Sequence, residues 1–321
     1  MTTKDWVTSQ AGNTEFDSAF LTDPFELLDV PLKALQPNST TLTIEGPPVG
    51  SISPVFNLGV HPAGSNLIFA SSDSVFFYVH TDVVLQQSPS AFQSLLLGLL
   101  VHEPPKTIVK IPEPSNVLDI ILRVLYGIPG GDNPPLFDTF VAAIDKMPVY
   151  GINPKDHIVP SSPSYTYLLA FASRFPLELY ALAAHYEIHD LAVSTSSYLL
   201  SHSLASIDDE TAQRIGPIYL KRLLCLHISR FDALKRILLD PPHPHPPTKE
   251  CDFTQQKALA RAWTLVSAYL ACDARPDLSS SSIELAFNSL YEQTTCSLCL
   301  ETLTTRLQDV TTRWACVNRT I

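Results

Sequence analysis

The sequence predicts an α+β fold at the front of the chain and an all-α region behind it. Three observations carry that division. Segments rich in β-branched and aromatic residues cluster between Leu67 and Ile111 and read as strands. From Ser164 onward no convincing strand occurs, and apolar residues recur at helical spacing. Loops dense in proline separate the pieces, around 129–135, 153–163 and 240–248.

The elements follow in order. Residues 1–65 are rich in Pro, Thr, Ser and Gly, and Pro47, Pro48, Pro54 and Pro62 break regular structure. A mobile N-terminal arm is expected there, with one short strand at Thr41 to Ile44. Leu67 to Ala70 and Val75 to Val79 form a hairpin around the turn chemistry of Ser71 to Ser74. The second strand is apolar at every position, which predicts cover on both faces. Two small helices follow, the second near Ser88-Pro89. Thr107 to Ile111 is a third strand, closed by Pro112 and Pro114.

Ser115 is expected to cap a helix carrying Val117, Ile120, Ile121, Val124 and Leu125 on its apolar face. Phe137 to Met147 is helical and ends at Pro148. Further helices are predicted at 164–173, 177–190, 191–203, 208–214 and 217–239. The 217–239 helix shows Leu220, Leu223, Leu224, His227, Phe231, Leu234 and Leu238 along one side. The run Asp240 to Pro247 stops it and favours polyproline II. Three more helices complete the chain. Asp252 with Gln255, and Ser281 with Glu284, have capping-box spacing before two of them. In the last, Leu300, Leu303, Leu307, Val310, Trp314 and Val317 repeat every three or four residues. Ala142 to Ile152 echoes Ala183 to Ile188, which reads as two similar helix ends.

Composition narrows the function. A chain of 321 residues with 45% hydrophobic and 17% charged content is globular rather than disordered. Its net charge of −11 argues against general nucleic-acid binding, which needs local cation excess. The longest apolar run, Leu95 to Val101, is too short to span a bilayer. Met1 to Phe20 lacks an apolar core and carries Asp5, Glu15 and Asp17, so neither a secretory nor a transit peptide is expected. Six cysteines in such a chain read as reduced thiols of the cytoplasm or nucleus.

The hairpin region resembles a known family. Ser71-Ser72-Asp73, Phe77-Tyr78-Val79-His80, Leu85, Ser88-Pro89, Phe92 and Leu95-Leu96 look like the core signature of the BTB/POZ domain. Asp73, Val79, His80, Ser88 and Phe92 are its structural positions. The strand at Ile108 to Ile111 and the helix ending Leu125-Tyr126-Gly127 resemble the next two elements. Pro176 to Ala183, Tyr219 to Leu223 and Asp273 to Leu278 resemble the helical region of BTB-domain proteins abundant in basidiomycete fungi. The resemblance implies a BTB/POZ-like domain at 66–152 and a helical region at 153–321. It implies a protein–protein interaction module, a scaffold or adaptor that binds itself as a homodimer or delivers clients to a cullin-type ligase. A nuclear, transcription-linked scaffold is the alternative, and an enzyme with an unrecognised site in the helical region is a third reading. Val83, Val84, Phe92, Leu96 and Leu99 are the candidate interaction surface. Asn66 stands where many members carry an acid, Ser74 where a turn glycine is frequent, and Thr81 where lysine often follows the histidine.

Catalytic and cofactor motifs are missing: no P-loop, Rossmann glycine fingerprint, nucleophile elbow or His-Glu-x-x-His occurs. No enzymatic activity and no cofactor are therefore expected. Cys296 and Cys299 form a Cys-x-x-Cys pair, which is half a zinc site. Cys251, Cys272, Cys316, His243 or His245 would have to complete it. Both cysteines fall on the apolar stripe of the last helix, so buried thiols explain them without a metal. His243 and His245 lie between prolines and read as part of a stiff exposed linker, or else as a metal pair or a ligand for a proline-recognising domain. Lys221, Arg222, Arg230, Lys235 and Arg236 read as the solvated face of an amphipathic helix. His80, closing an apolar strand, reads as a packed, hydrogen-bonded residue rather than a catalyst.

Overall fold

Alternation along the hairpin strands decides which way the sheet faces. Leu67, Phe69, Phe77 and Val79 share one face, and that face is closed to solvent. A computed structural model describes residues 50–58, 65, 67–87, 107–130 and 135–321. Four strands, β1 (Ser51–Ile52), β2 (Leu67–Ala70), β3 (Val75–Val79) and β4 (Thr107–Lys110), form one sheet in the order β1-β3-β2-β4. β2 and β3 are antiparallel, pairing Phe69 with Phe77. β1 runs parallel to β3, and β4 parallel to β2. The expected cover on both faces of β3 is only partial: Phe77 and Val79 are buried, while Val75, Phe76 and Tyr78 are half-buried.

The helices are α1 (Thr81–Gln87), α2 (Ser115–Tyr126), α3 (Phe137–Lys146), α4 (Pro154–His157), α5 (Pro163–Ala170), α6 (Pro176–His185), α7 (His189–Ser196), α8 (Asp209–Leu238), α9 (Phe253–Asp273), α10 (Ser280–Gln293) and α11 (Ser297–Ala315). The protein is thus mixed α+β, with a small sheet ahead of a helical majority. The strand expected at Thr41 to Ile44 lies outside the described residues, as does the second small helix.

The N-terminal arm expected to be mobile through residue 65 is corrected by residues 50–58. Ser51–Ile52 adds a parallel strand to the sheet, and Phe56 is fully buried. Phe56 meets the Tyr126 ring edge-on at 5.5 Å between centroids, and its carbonyl accepts from Tyr78 N–H at 2.9 Å. Pro54 is tolerated because the segment lies at the sheet's edge, where a missing donor costs no ladder bond.

Among the described residues, two hydrophobic cores form. The first gathers side chains from Phe56 to Leu223, including the sheet, α2, α3, α6 and α7. α6 is apolar around most of its circumference, with Leu179, Tyr180, Leu182 and Ala183 fully buried. The second core runs from Leu234 to Trp314 and packs α9, α10 and α11 on the end of α8. The packing boundary therefore falls inside α8 and not at 152/153. The helices behind residue 153 share a core with the sheet up to Leu223.

α8 shows why two helices were expected at 208–214 and 217–239. Gly216 has φ 75° and ψ 162°, a conformation open essentially to glycine alone. Pro217 follows at the first position of the next helical stretch, where its missing N–H costs nothing. The apolar face beyond the kink is rotated from the expected one. Tyr219, Leu223, Leu226, His227, Arg230, Leu234, Ile237 and Leu238 are buried, whereas Leu224 is exposed. Arg230 corrects the reading of a solvated basic face, since it is 1% exposed. Lys221, Arg222, Lys235 and Arg236 do face solvent.

Asp252 and Gln255 form a complete capping box on α9. The box expected at Ser281 and Glu284 does not form. Ser279 is the cap of α10, and its hydroxyl accepts from Ser282 N–H at 3.0 Å. Ser115 likewise sits inside α2 as its first residue and does not cap it.

The internal echo has a structural basis, and it recurs a third time. Tyr126-Gly127-Ile128, Tyr150-Gly151-Ile152 and Tyr186-Glu187-Ile188 each end a helical stretch. In each, the middle residue is left-handed, at φ 64°, 70° and 55°. The following isoleucine N–H reaches back five residues, to Arg123, Met147 and Ala183 respectively. These are Schellman turns, whose hydrophobic residue after the cap packs back on the helix. Glu187 is the one non-glycine cap among the three, and Ser74 in the hairpin turn is also left-handed at φ 62°. A Cβ in that region costs roughly 1 kcal/mol. Glu187→Gly and Ser74→Gly are each expected to raise unfolding free energy by about 1 kcal/mol in urea titrations. Glu187→Ala, which keeps the Cβ, is expected to gain nothing. The exposed Lys155–Glu187 pair at 3.4 Å adds little to offset this.

Candidate functional site

Among the described residues, the hairpin turn, a groove between helices, and a cluster of cysteines with one histidine bring together the residues singled out by the sequence.

At the hairpin turn, Ser74 N–H donates to Ser71 carbonyl at 3.0 Å, closing the turn. Ser71 hydroxyl donates to Asp73 Oδ1 at 2.6 Å. The Asp73 carboxylate then accepts from Ser115 backbone N–H at 2.9 Å and from Ser115 hydroxyl at 2.6 Å. Asp73 therefore caps α2 from forty-two residues away in sequence, satisfying a backbone donor that Pro114 leaves open. Desolvation raises the Asp73 carboxyl, but the bonds from Ser115 and Ser71 outweigh it and hold it below the usual value.

Val79 is fully buried in the first core. His80 backbone N–H donates to Tyr126 hydroxyl at 2.8 Å, and its Nδ1 lies 3.4 Å from the same oxygen. Its carbonyl accepts from Val84 N–H, starting α1. The histidine thus joins β3, α1 and the end of α2, as a packed, hydrogen-bonded residue. Of the candidate interaction surface, Val84 is corrected: it is fully buried and belongs to the core. Val83 is half-buried and packs against that core. Phe92, Leu96 and Leu99, with Ser88, lie outside the described residues.

The groove lies between α2, α3 and α5 and holds about 470 Å³. Ile120, Val124 and Phe140 make an apolar floor, and Leu136 stands at its rim, 76% exposed. The two charged side chains lining it, Asp119 and Arg123, bond each other at 2.5 Å. Arg123 also donates to the Pro129 carbonyl. Neither is left facing the groove as an unpaired acid or base.

The cysteine cluster was half visible in the sequence. Cys296 is the residue before α11 and Cys299 lies in its first turn. The apolar-stripe reading holds for Cys299, which is buried, but Cys296 lies ahead of the helix and is half-buried. The other two members come from distant positions. Cys251 precedes the capped start of α9. His245 comes from the proline segment, which is not an exposed linker at this point: His245 is 8% exposed while His243 faces solvent. His245 Nε2 lies 3.3 Å from Cys299 Sγ and 3.4 Å from Cys296 Sγ. Cys251 Sγ lies 3.6 Å from Cys299 Sγ. All four atoms fall within 4.8 Å of one another. On the ring's other side, His245 Nδ1 is 2.7 Å from the Pro246 carbonyl. That oxygen can only accept, so Nδ1 carries the proton and Nε2 presents its lone pair to the sulfurs.

Protonation differs across the cluster. The backbone N–H groups of Cys299 and Leu298, together with the Cys251 and Cys299 thiols, favour the Cys296 thiolate over its desolvation and draw that thiol down to about 7. Burial pushes Cys299 up to about 12, and Cys251 is also raised, chiefly by desolvation. A cleft of about 230 Å³ lined by Cys251, Cys296 and Cys299 opens the cluster to solvent. The remaining cysteines, Cys225, Cys272 and Cys316, are exposed, so the Cys272 and Cys316 alternatives for completing the site are not drawn in. Among the described residues, no helix is long and apolar enough to cross a membrane. No family model, no curated protein and no solved structure matches the chain.

Proposed function

We propose that the protein is a protein–protein interaction module of BTB type, acting as a scaffold or adaptor. Its partners are a second copy of the chain or a cullin-type ligase subunit. The observation that carries the reading is the groove between α2, α3 and α5, where Leu136 stands exposed at the rim above a buried apolar floor of Ile120, Val124 and Phe140. A large apolar side chain left in water at the mouth of an apolar groove, beside the paired Asp119 and Arg123, suits protein recognition better than chemistry. The sequence of elements adds support: hairpin, short helix, parallel strand, helix, with Asp73 and His80 tying turn and strand to α2. The family resemblance leads one to expect a pair of small helices between the hairpin and that strand, and the second of the pair lies outside the described residues.

The test combines light scattering of the purified full chain with titration against a purified cullin N-terminal domain. Self-association or cullin binding is expected. Leu136→Asp is expected to weaken whichever interaction is observed about tenfold, an effect of roughly 1.4 kcal/mol, while leaving the melting temperature unchanged. A strict monomer with no measurable cullin binding sinks the proposal. So does binding that Leu136→Asp leaves intact, because the groove would then play no part.

A further inference from the structure

We infer that His245, Cys251, Cys296 and Cys299 form a structural zinc site that staples the proline segment to the N-termini of α9 and α11.

A tetrahedral zinc with Zn–S near 2.3 Å and Zn–N near 2.0–2.1 Å places its ligand atoms roughly 3.5–3.8 Å apart. The measured separations of 3.3, 3.4 and 3.6 Å lie at that spacing, and no pair exceeds 4.8 Å. A disulfide would need two sulfurs about 2.05 Å apart, which Cys251 and Cys299 at 3.6 Å do not approach. Three sulfurs and one imidazole are the donor set that selects zinc among abundant divalent ions.

The surroundings are built for the same purpose. Metal-bound histidines usually donate their second ring nitrogen to a carbonyl or carboxylate, which fixes the ring and its tautomer. His245 does so through Nδ1 and the Pro246 carbonyl. Gln256, 7% exposed, lies with its amide 3.5 Å from the same nitrogen, and its Oε1 has no hydrogen-bond partner among the described residues. A buried amide oxygen without a partner is costly. With the amide flipped, Oε1 would become a second, longer acceptor for the one Nδ1 proton already given to the Pro246 carbonyl. Cys296 and Cys299, one before the helix and one in its first turn, form a Cys-x-x-Cys knuckle.

Four protein ligands close the tetrahedron and leave no position for substrate, so the role is structural. The metal takes up three thiolates and one neutral imidazole, and the thiols release their protons to solvent through the adjoining cleft. The site also accounts for the fold of the segment after α8. That segment has little apolar packing of its own, yet His245 is buried beside the start of α9, eight residues further along the chain, and the start of α11, fifty-two residues further.

The experiment is elemental analysis of the full chain purified under reducing conditions, followed by cobalt titration of protein stripped with a chelator. About one equivalent of zinc is expected, and cobalt should give thiolate charge-transfer and tetrahedral d–d bands that saturate at about one equivalent. Cys299→Ser and His245→Gln should lose the metal, while Cys225→Ser, Cys272→Ser and Cys316→Ser keep it. If the ligand variants fail to fold, the cobalt spectrum of the wild-type chain still decides. Charge-transfer intensity for three thiolates supports the site even where purification has stripped the zinc. The absence of both zinc from the purified protein and a cobalt–thiolate band from the titration would overturn it. A retained equivalent in Cys299→Ser, or a disulfide among these cysteines in the reduced preparation, would do the same. None of these outcomes depends on the interaction proposed above.

Discussion

Phe56→Ala is expected to lower unfolding free energy by about 4 kcal/mol, in the range found when a fully buried phenylalanine is truncated. Phe56 is 0% exposed and sits between Phe77 and Tyr126, with centroid distances of 6.1 and 5.5 Å. Its removal opens a hole beneath the sheet, where β3 and the end of α2 meet. Domains of ordinary stability have only about 5–15 kcal/mol in total, so the variant should melt far below the parent. Urea titration followed by circular dichroism measures the difference. Ile52→Ala is the control. Ile52 lies in the neighbouring strand but is 55% exposed, so its loss should stay within about 0.5 kcal/mol. A near-neutral Phe56→Ala would mean that residues 50–58 do not belong to the core.

That prediction concerns a segment whose sequence points the other way. Pro47, Pro48, Pro54 and Pro62 are sound evidence against regular structure, and they conceal a two-residue strand followed by one buried ring. An edge strand needs few backbone donors, so proline density does not exclude it. The hairpin was legible because its strands are apolar and its turn polar. The role of Asp73 was not, because its partner Ser115 is remote in sequence. Gly216-Pro217 punctuated the long helix correctly, and the capping box at Asp252 was readable because both its parts are local.

The cysteine cluster divides the same way. Cys296 and Cys299 were visible as a pair through their spacing. Cys251 and His245 were only two among several candidates, since no local rule says which way a proline segment folds back. Periodicity also misjudged α8. It ranked Leu224 with the buried residues and Arg230 with the exposed ones, because hydrophobicity scales assume that a guanidinium seeks water. A buried arginine is admissible when its donors are all spoken for. That exception depends on tertiary partners and is invisible to a window of neighbours.

Those partners make the loss of Arg230 strongly destabilising. Its Nε donates to the Pro276 carbonyl at 2.6 Å, and one terminal nitrogen donates to the carbonyls of Val317 and Asn318 at 2.9 and 2.8 Å. The guanidinium also stacks 4.3 Å from the Trp314 ring centre. One side chain thereby ties the middle of α8 to the turn before α10 and to the segment after α11. Burial draws its guanidinium down to about 10, Arg319 adding to the pull and Asp277 opposing it, so it remains charged at neutral pH. Arg230→Met removes three charge-assisted bonds and returns only the cost of burying the charge. The net loss is expected to be about 3 kcal/mol, read by urea titration, with a change in Trp314 fluorescence. Arg230→Lys keeps the charge but not the planar fork, and should recover less than half of that loss. If Arg230→Met proves neutral, the desolvation of the cation cancels its bonds, and the join between α8 and the last helices rests on the apolar contacts of Leu234, Ile237 and Leu238 and on the bonds that Trp263 and Arg306 donate to the Leu238 and Ile237 carbonyls.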